Sequence, residues 1–251
     1  MTDIDLRNEI EVFISDCILT KDSGHPFGKI WREPLVGFGD AMHPYIQNLP
    51  HVVAKEHSLP QSFLLMPKIV ISYFIPFTKE LAQTNHHAPD NYTSPEWAKA
   101  YTITNQRIAQ TNEALVKKVE SLGFSGAVPE WNMDYNRLIS NWSQRHIAYA
   151  CGLGTFGINN MLITKRGCCG RYGSIVTDLP LVPDEILEDE NCLYKRKGTC
   201  KVCVKNCFTG ALTPDGFDRF LCFEKGCLPN DSLYGEEVCG KCTVGIPCAS
   251  L

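Results

Sequence analysis

A chain of 251 residues, 44% of them hydrophobic, is long enough for one substantial core plus a small second module. Its net charge of −4 at pH 7 excludes a global basic field of the kind that draws nucleic acid or anionic membrane. The longest apolar run, residues 68–77, is too short for a membrane span, which takes about 20 residues. The expectation is a cytoplasmic protein with neither a nucleic-acid nor a membrane partner, because the opening "MTDIDLRNEIEVF" lacks the basic-then-apolar layout of a secretory signal.

Residues 3–20 read as a helix, since Leu6, Ile10, Phe13, Ile14, Cys17 and Ile18 recur at helical spacing, and "KDSG" (21–24) breaks it. "PLVGFGDA" and "KIVISYFIPF" read as strands, the second buried on both faces. The stretch from Ser94 to Gly123 is the clearest helix. Ser94 serves as N-cap, Pro95 suits the first helical position, and Gly123 stops it. Trp97, Tyr101, Ile108, Leu115, Val119 and Leu122 form its apolar stripe, with Thr104 a polar interruption. A further helix is predicted in "SNWSQRHIAYACG", capped by Ser140 or Asn141 and closed by Gly152. "NMLITKRGCCGRYGSIVTDLPL" reads as two strands around a turn. The acidic, proline-containing segment 181–191 marks a junction, dividing the chain into an α/β part, 1–185, and a cysteine-rich tail, 186–251.

Nine of the thirteen cysteines fall between Cys192 and Cys248. Cytosolic thiols are kept reduced, and with no secretion signal a disulfide scaffold is the poorer reading; cofactor ligation is the better one. The spacing is Cys192-x7-Cys200-x2-Cys203-x3-Cys207, then Cys222-x4-Cys227, then Cys239-x2-Cys242-x5-Cys248. Bacterial ferredoxins use C-x2-C-x2-C-x3-C-P, with the fourth cysteine serving the other cluster. Cys200, Cys203 and Cys207 match the last three positions. Lys197 stands at the first, so Cys192 replaces it, and Phe208 stands in place of the proline. Eight thiolates make two [4Fe–4S] clusters. Cys192, Cys200, Cys203 and Cys248 are assigned to one, and Cys207, Cys222, Cys239 and Cys242 to the other. Cys227 is an alternative to Cys222 as a ligand. Zinc is the competing chemistry, since "CKVC" and "CGKC" could close as paired knuckles, but Cys192, Cys207, Cys222 and Cys248 would then have no task. Cys17 and Cys151 are expected as small core residues, and Cys168–Cys169 as an inert turn that could lie beside a cofactor. The seven histidines, His86 and His87 included, are expected on the surface or in the core rather than on a metal.

"CGLGTFG" contains Gly152-x-Gly154-x-x-Gly157, but a dinucleotide fingerprint follows a strand and opens a helix. The order here is reversed, so nicotinamide is not expected. The glycines still let backbone approach a flat cofactor or a packed neighbour closely.

"SQRHIAYACGLGTFGINNMLITKRGCCGRYGSIVTDLPL", followed by the double-cluster tail, resembles the epoxyqueuosine reductase family and its relatives, the reductive dehalogenases. The resemblance covers roughly half the chain. It implies an α+β fold: a nitroreductase-like α/β domain that binds cobalamin base-off, followed by a small double-cluster ferredoxin-like domain. It also implies that Arg145, Gly152, Leu153, Gly154, Gly157, Gly173 and Ser174 line the corrinoid pocket. Gln144 replaces the family's Glu beside Arg145, and Leu138 stands where the catalytic aspartate would be, so that proton donor does not carry over. Asp134, Glu130 and Tyr135 are nearby acids, expected as solvated loop residues. The chain stops at "PCASL", short of the helical-repeat region that helps the family's enzymes hold tRNA, so a tRNA substrate is not expected.

The implied function is a corrinoid-dependent reductase. A low-potential ferredoxin- or flavodoxin-type donor would feed electrons through two clusters to the corrinoid, which would reduce a small-molecule substrate. The alternative is a non-catalytic electron-transfer protein serving a partner redox protein that carries corrinoid or flavin. Flavin in the α/β domain itself is a third possibility, although no flavin phosphate site is recognisable.

Overall fold

The computed structural model describes residues 2–20, 23–89 and 91–251. Lys21 and Asp22, half of the expected helix-breaking "KDSG", lie outside the described residues. Helix α1 (Asp3–Leu19) starts where expected: Thr2 and Asp5 form a reciprocal capping box, and Leu6, Ile10, Ile14 and Ile18 form its buried stripe. Then follow β1 (Leu35–Asp40), the short helices α2 (Pro44–Gln47) and α3 (Leu49–Val52), and β2 (Ile69–Pro76), every residue of which is buried. Helix α4 (Lys79–His87) leads to the long α5 (Pro95–Ser121). The Ser94 hydroxyl of α5's N-cap accepts the Trp97 N–H at 3.1 Å, and Gly123 turns the chain away at φ +87°. Thr104, the polar interruption in the stripe, is fully buried and satisfied. Its hydroxyl accepts the Trp31 indole N–H at 2.9 Å and donates to the Ala100 carbonyl at 2.6 Å.

The next segment holds β3 (Gly126–Ala127), the small hairpin β4 (Met133–Asp134) and β5 (Ile139–Ser140), and α6 (Gln144–Ala150). Helix α6 begins later than the sequence suggests: Ser143, not Ser140 or Asn141, is its N-cap residue. The reason is tertiary. Ser140 is committed to the hairpin, Trp142 buries its whole side chain, and the Ser143 N–H is taken by His57 Nε2 at 3.0 Å. Strands β6 (Gly154–Phe156), β7 (Leu162–Thr164) and β8 (Gly170–Thr177) follow. The two strands expected around the Cys168–Cys169 turn both exist, but β7 pairs with β6 rather than with β8.

Strands β1, β2, β8 and β3 form one antiparallel sheet in that order. Along β2, Ile69, Ile71, Tyr73 and Ile75 face the side chains of α1 and α5, while Val70 and Phe74 face α6. A strand covered on both faces has no polar alternation, which is why its sequence is apolar apart from Ser72 and the Tyr73 hydroxyl. Each such side chain contributes about 1.5–3 kcal/mol by leaving water.

The tail contains α7 (Leu193–Lys197), α8 (Val202–Asn206), the pair β9 (Leu212–Thr213) and β10 (Gly216–Phe217), α9 (Arg219–Cys222), one π turn (Phe223–Cys227) and α10 (Leu228–Tyr234). It does not form a core of its own. Cys203, Leu212, Val238, Val244 and Ile246 belong to the same apolar cluster as α1 and β2. The acidic junction is an extended strap tied to the body. Val182 N–H donates to Asp3 at 2.8 Å, Phe38 N–H to Asp184 at 2.8 Å, and Asn191 N–H to Thr155 at 2.7 Å.

The "CGKC" loop is held by the end of α4. Lys241, itself buried, donates from Nζ to the Asn85 and Ala88 carbonyls at 2.9 and 2.8 Å, and Asn85 Nδ2 donates to the Cys239 carbonyl at 2.9 Å. A cation on the last carbonyls of a helix satisfies orphan acceptors and opposes the negative end of its dipole. Lys241→Met keeps the stem and removes the ammonium, and is expected to cost about 2–4 kcal/mol. The checks are a melting temperature lower by about 5–10 °C and faster proteolysis of the tail.

Candidate functional site

The tail thiols gather in two neighbouring groups. Cys192, Cys200, Cys203 and Cys248 line one small cavity, closed by Ile158, Ile163 and Ile246. Cys192 enters it at the head of α7, Cys200 and Cys203 around the start of α8, and Cys248 from the far end of the chain. Cys248 arrives because the last residues run beside the Gly167–Cys169 turn. Cys168 N–H donates to the Cys248 carbonyl at 2.9 Å and Cys169 N–H to that of Ala249 at 3.0 Å. Gly167 must be glycine there, since a Cβ would stand 2.3 Å from the Ala249 carbonyl oxygen. Arg32 ties down the terminus through Ser250 and the Leu251 carbonyl. The Cys168–Cys169 turn therefore lies directly behind the cavity, with the Cys168 and Cys248 thiols within hydrogen-bond reach of each other.

The second group is Cys207, Cys222, Cys227, Cys239 and Cys242. Burial and then the neighbouring sulfurs push Cys239 up to about 11, and push Cys242 well above the usual thiol range. Cys207 Sγ accepts the Leu212 N–H at 3.4 Å and contacts the Thr209 hydroxyl at 3.3 Å. Cys239 and Cys242 thus resist ionising on their own, whereas a bound metal centre deprotonates a coordinating thiol outright. The groups adjoin, since Cys203 of the first also acts on Cys242 of the second. The sulfurs surround a space rather than meet at a point. Among the described residues, no three His, Cys, Asp or Glu side chains converge as ligands of a single ion would.

In front of the second group opens a cleft of about 600 Å³ between α3, the β4–β5 hairpin, α6, β8 and the tail's β10–α9 corner. Arg145 is its central charged side chain. Burial holds its guanidinium below its usual range, and its charged neighbours are Tyr172, Cys242, Arg171 and Arg219. Arg145 also acts on Cys222. Among the described residues, none of the three arginines has a carboxylate partner. The floor beside them is rigid. Trp142 donates its indole N–H to Ser174 Oγ at 3.0 Å, and Ser174 donates on to Gln144 Oε1 at 2.8 Å. His57 stacks on Trp142 at 5.7 Å, and its Nδ1–H donates to the Ser58 carbonyl, leaving Nε2 to accept from Ser143. At the mouth, Trp131 is more than half exposed. Leu138, at the tip of the hairpin, lines the cleft in a left-handed conformation, φ +50°, that is costly for a branched side chain.

The seven residues expected around a corrinoid do not share a surface. Arg145 lines the cleft. Gly173 and Ser174 lie beneath it in β8, where Ser174 orients Gln144 and Trp142. Gly152 and Leu153 face a different cleft of about 1030 Å³ between α1, β1 and the 181–191 strap. A Cβ at Gly154 would lie 2.3 Å from the Ile163 carbonyl oxygen, and one at Gly157 would lie 2.6 Å from Asn159 Oδ1. These two glycines serve close packing of the β6–β7 hairpin, the second of the two roles that the loop's composition allowed. Of the three acids, Asp134 accepts the Asn136 and Arg137 backbone N–H groups on the exposed side of the hairpin, and Glu130 and Tyr135 are exposed with it. Arg171, Arg219 and His146 were not anticipated as site residues. Arg219 reaches the cleft only because the tail folds back, which no local pattern announces.

His146 lines the cleft with Nδ1 bonded to Ser143 Oγ at 2.7 Å. Burial first, then Arg145 and His57, lower its pKa from 6.5 to about 4. Between those values the unfolded chain binds a proton that the folded chain refuses, so stability falls as pH falls through this window. Discounted for partial exposure, the loss from about pH 7.5 to about pH 5.5 is about 1 kcal/mol. Denaturant titrations at the two pH values should show His146→Gln removing that difference.

The fold defines the class first: a mixed helix-and-sheet architecture similar to that of solved reductases. A catabolic reductive dehalogenase matches 71% of this chain and 23% of its own, with TM-score 0.50 and 16% identity. An epoxyqueuosine reductase solved with a tRNA-Tyr epoxyqueuosine-modified stem loop matches 99% of this chain and 66% of its own, with TM-score 0.58 and 16% identity. In sequence, the chain is homologous to epoxyqueuosine reductases at modest identity: that of Bacillus anthracis is 27% identical over 158 residues, 57% of this chain and 38% of that protein. The chain thus spans well under half the length of that relative. No protein-family model matches it.

The similarity expected from the sequence holds. The exclusion of nucleic acid does not, because the enzymes this chain is similar to include one captured with a tRNA stem loop. Net charge was a poor guide, since an arginine group local to one cleft leaves no mark on it. No helix among the described residues is long and apolar enough to cross a membrane.

Proposed function

We propose that this chain is an epoxyqueuosine reductase-like iron–sulfur oxidoreductase, with two [4Fe–4S] clusters in the tail and a base-off corrinoid in the adjoining cleft. Residues 186–251 act as the electron-delivery module on the 1–185 body, and a low-potential ferredoxin- or flavodoxin-type protein is the donor. One observation carries the reading: Arg145, set in the cleft, acts on the sulfurs of both Cys222 and Cys242, so the cleft and the second thiol group adjoin. The donor sets fit. Four cysteines around one cavity and a second crowded thiol group offer the thiolates that two cubanes need. The cleft offers indole and thioether walls in Trp131, Trp142 and Met161, with Ser143, Gln144 and Asn160 able to meet peripheral amides.

A corrinoid held there supplies low-potential cobalt for reducing a substrate. The chain's own part is to hold and orient it. Arg145, Arg171 and Arg219 present positive charge, and the Trp142–Ser174–Gln144 chain keeps the floor rigid. Exposed Trp131, and Phe217 near Arg219, suit a stacked base and its phosphate, so a modified nucleobase carried on RNA is the substrate class to test first.

Leu138 favours the second reading, an electron carrier without proton chemistry of its own. An apolar side chain stands where the resemblance places an aspartate, and the nearby Asp134 carboxylate is spent on backbone N–H groups. The two readings separate by spectroscopy. Protein purified anaerobically and mixed with hydroxocobalamin is expected to show stoichiometric uptake with a base-off spectrum. Brown protein without uptake would establish the carrier, and a bound yellow chromophore would replace the corrinoid with flavin.

A further inference from the structure

The second thiol group holds five sulfurs where a cubane takes four, and the surplus has a local structural cause. After α9 the helix widens into a single π turn, closed by the Leu228 N–H donating to the Phe223 carbonyl. Pro229 explains the widening, since it has no N–H to give to the Lys225 carbonyl and its ring would crowd that oxygen. Buried Gly226 sits against the site. A Cβ there would lie 3.5 Å from Cys239 Sγ, in ordinary contact. Asn230 fastens the turn, donating from Nδ2 to the Gly226 carbonyl at 2.9 Å while its Oδ1 accepts the Thr93 N–H at 2.8 Å.

In an α-helix, residues five apart diverge by about 140° around the axis. The i→i+5 pattern of a π turn stacks them instead, and such turns recur at functional sites. Cys222 and Cys227 are five apart, so the turn puts both on one face, where their thiols lie within hydrogen-bond reach of each other. Both also lie close enough to Cys239 and Cys242 to act on them electrostatically. Cys222 is the member on the Arg145 side.

We infer that Cys222 and Cys227 are interchangeable ligands of the second cluster, the π turn holding one thiol in reserve while the other closes the site. This rests on the two-cluster reading. With either thiol as ligand the set is complete: Cys207, Cys239, Cys242 and one of the pair.

The test counts iron and acid-labile sulfide in anaerobically prepared wild type, Cys222→Ala, Cys227→Ala, the double variant and Cys239→Ala. Wild type is expected to carry about eight irons, both single variants to keep about eight, and the double variant and Cys239→Ala to fall to about four. The reduced single variants should keep the electron paramagnetic resonance signature of two interacting clusters. If one single variant falls to about four while the other keeps about eight, one thiol is the sole ligand and the inference is overturned. If wild type lacks about eight irons, the two-cluster reading fails first and the inference goes with it. A second measurement needs no variant. Alkylation of the intact native protein with iodoacetamide, read by mass spectrometry, is expected to label Cys222 in some molecules and Cys227 in others, about one label per chain summed over these two positions. Label confined to one of the two positions contradicts the inference.

Discussion

Cys203→Ala is expected to halve the bound iron, from about eight atoms per chain to about four, and to abolish reduction of the remaining cluster's partner in the cleft. Cys203 is buried, lines the first cavity with Cys192, Cys200 and Cys248, and acts electrostatically on Cys242 across the gap between the two groups. On the proposed two-cluster reading it would stand at the step between them. Cys168, the fifth sulfur near this cavity, does not stand in for it, since Cys168 contacts Cys248 from behind the cavity and is not among its lining residues. Iron analysis, together with the loss of spin–spin coupling in the reduced spectrum, checks the expectation. Full iron content in Cys203→Ala would remove this cysteine from the ligand set.

The second large effect concerns the sheet beneath the cleft. Gly173 in β8 lies opposite Tyr73 in β2, and a Cβ at Gly173 would stand 2.4 Å from the ring's Cζ and hydroxyl and 2.9 Å from Ile108 Cγ2. The ring cannot swing aside. Its hydroxyl donates to Asn112 Oδ1 at 2.8 Å and lies 3.2 Å from the Ile108 carbonyl, in a fully buried setting. Gly173→Ala is expected to cost about 3 kcal/mol by overpacking, and Gly173→Val more. Because Ser174 follows directly, the damage should pass to Gln144 and Trp142 and weaken ligand uptake in the cleft. Tyr73→Leu in the same chain should recover part of the loss, which a double-mutant cycle by denaturant titration would show as a coupling of about 1–3 kcal/mol. Strict additivity would mean that Gly173 is not there to admit the ring.

How far these features are legible in the sequence varies for physical reasons. Helix α5 declares itself because its cap, its Pro95 and its stripe are local, and β2 does because burial on both faces removes every polar residue but Ser72. Cys192, Cys200, Cys203 and Cys248, which the sequence spacing groups together, do line one cavity. The start of α6 is not, because His57 and the burial of Trp142 decide it from outside the segment. Glycines mislead most. Gly154 and Gly157 admit a neighbouring carbonyl in the way they would admit a cofactor, and composition alone does not separate the two. The cleft's cationic character depends on Arg145, Arg171 and Arg219 meeting across three separate elements, two from the body and one from the tail. Only the folded chain shows it.

The thiol groups and the adjoining cleft act together only if the tail carries iron–sulfur cubes. Quantifying metals and acid-labile sulfide in the anaerobically purified wild-type chain tests this most directly, and about eight irons with about eight sulfides per chain is the predicted result. Zinc at one or two atoms per chain, with no sulfide released on acidification, would contradict it.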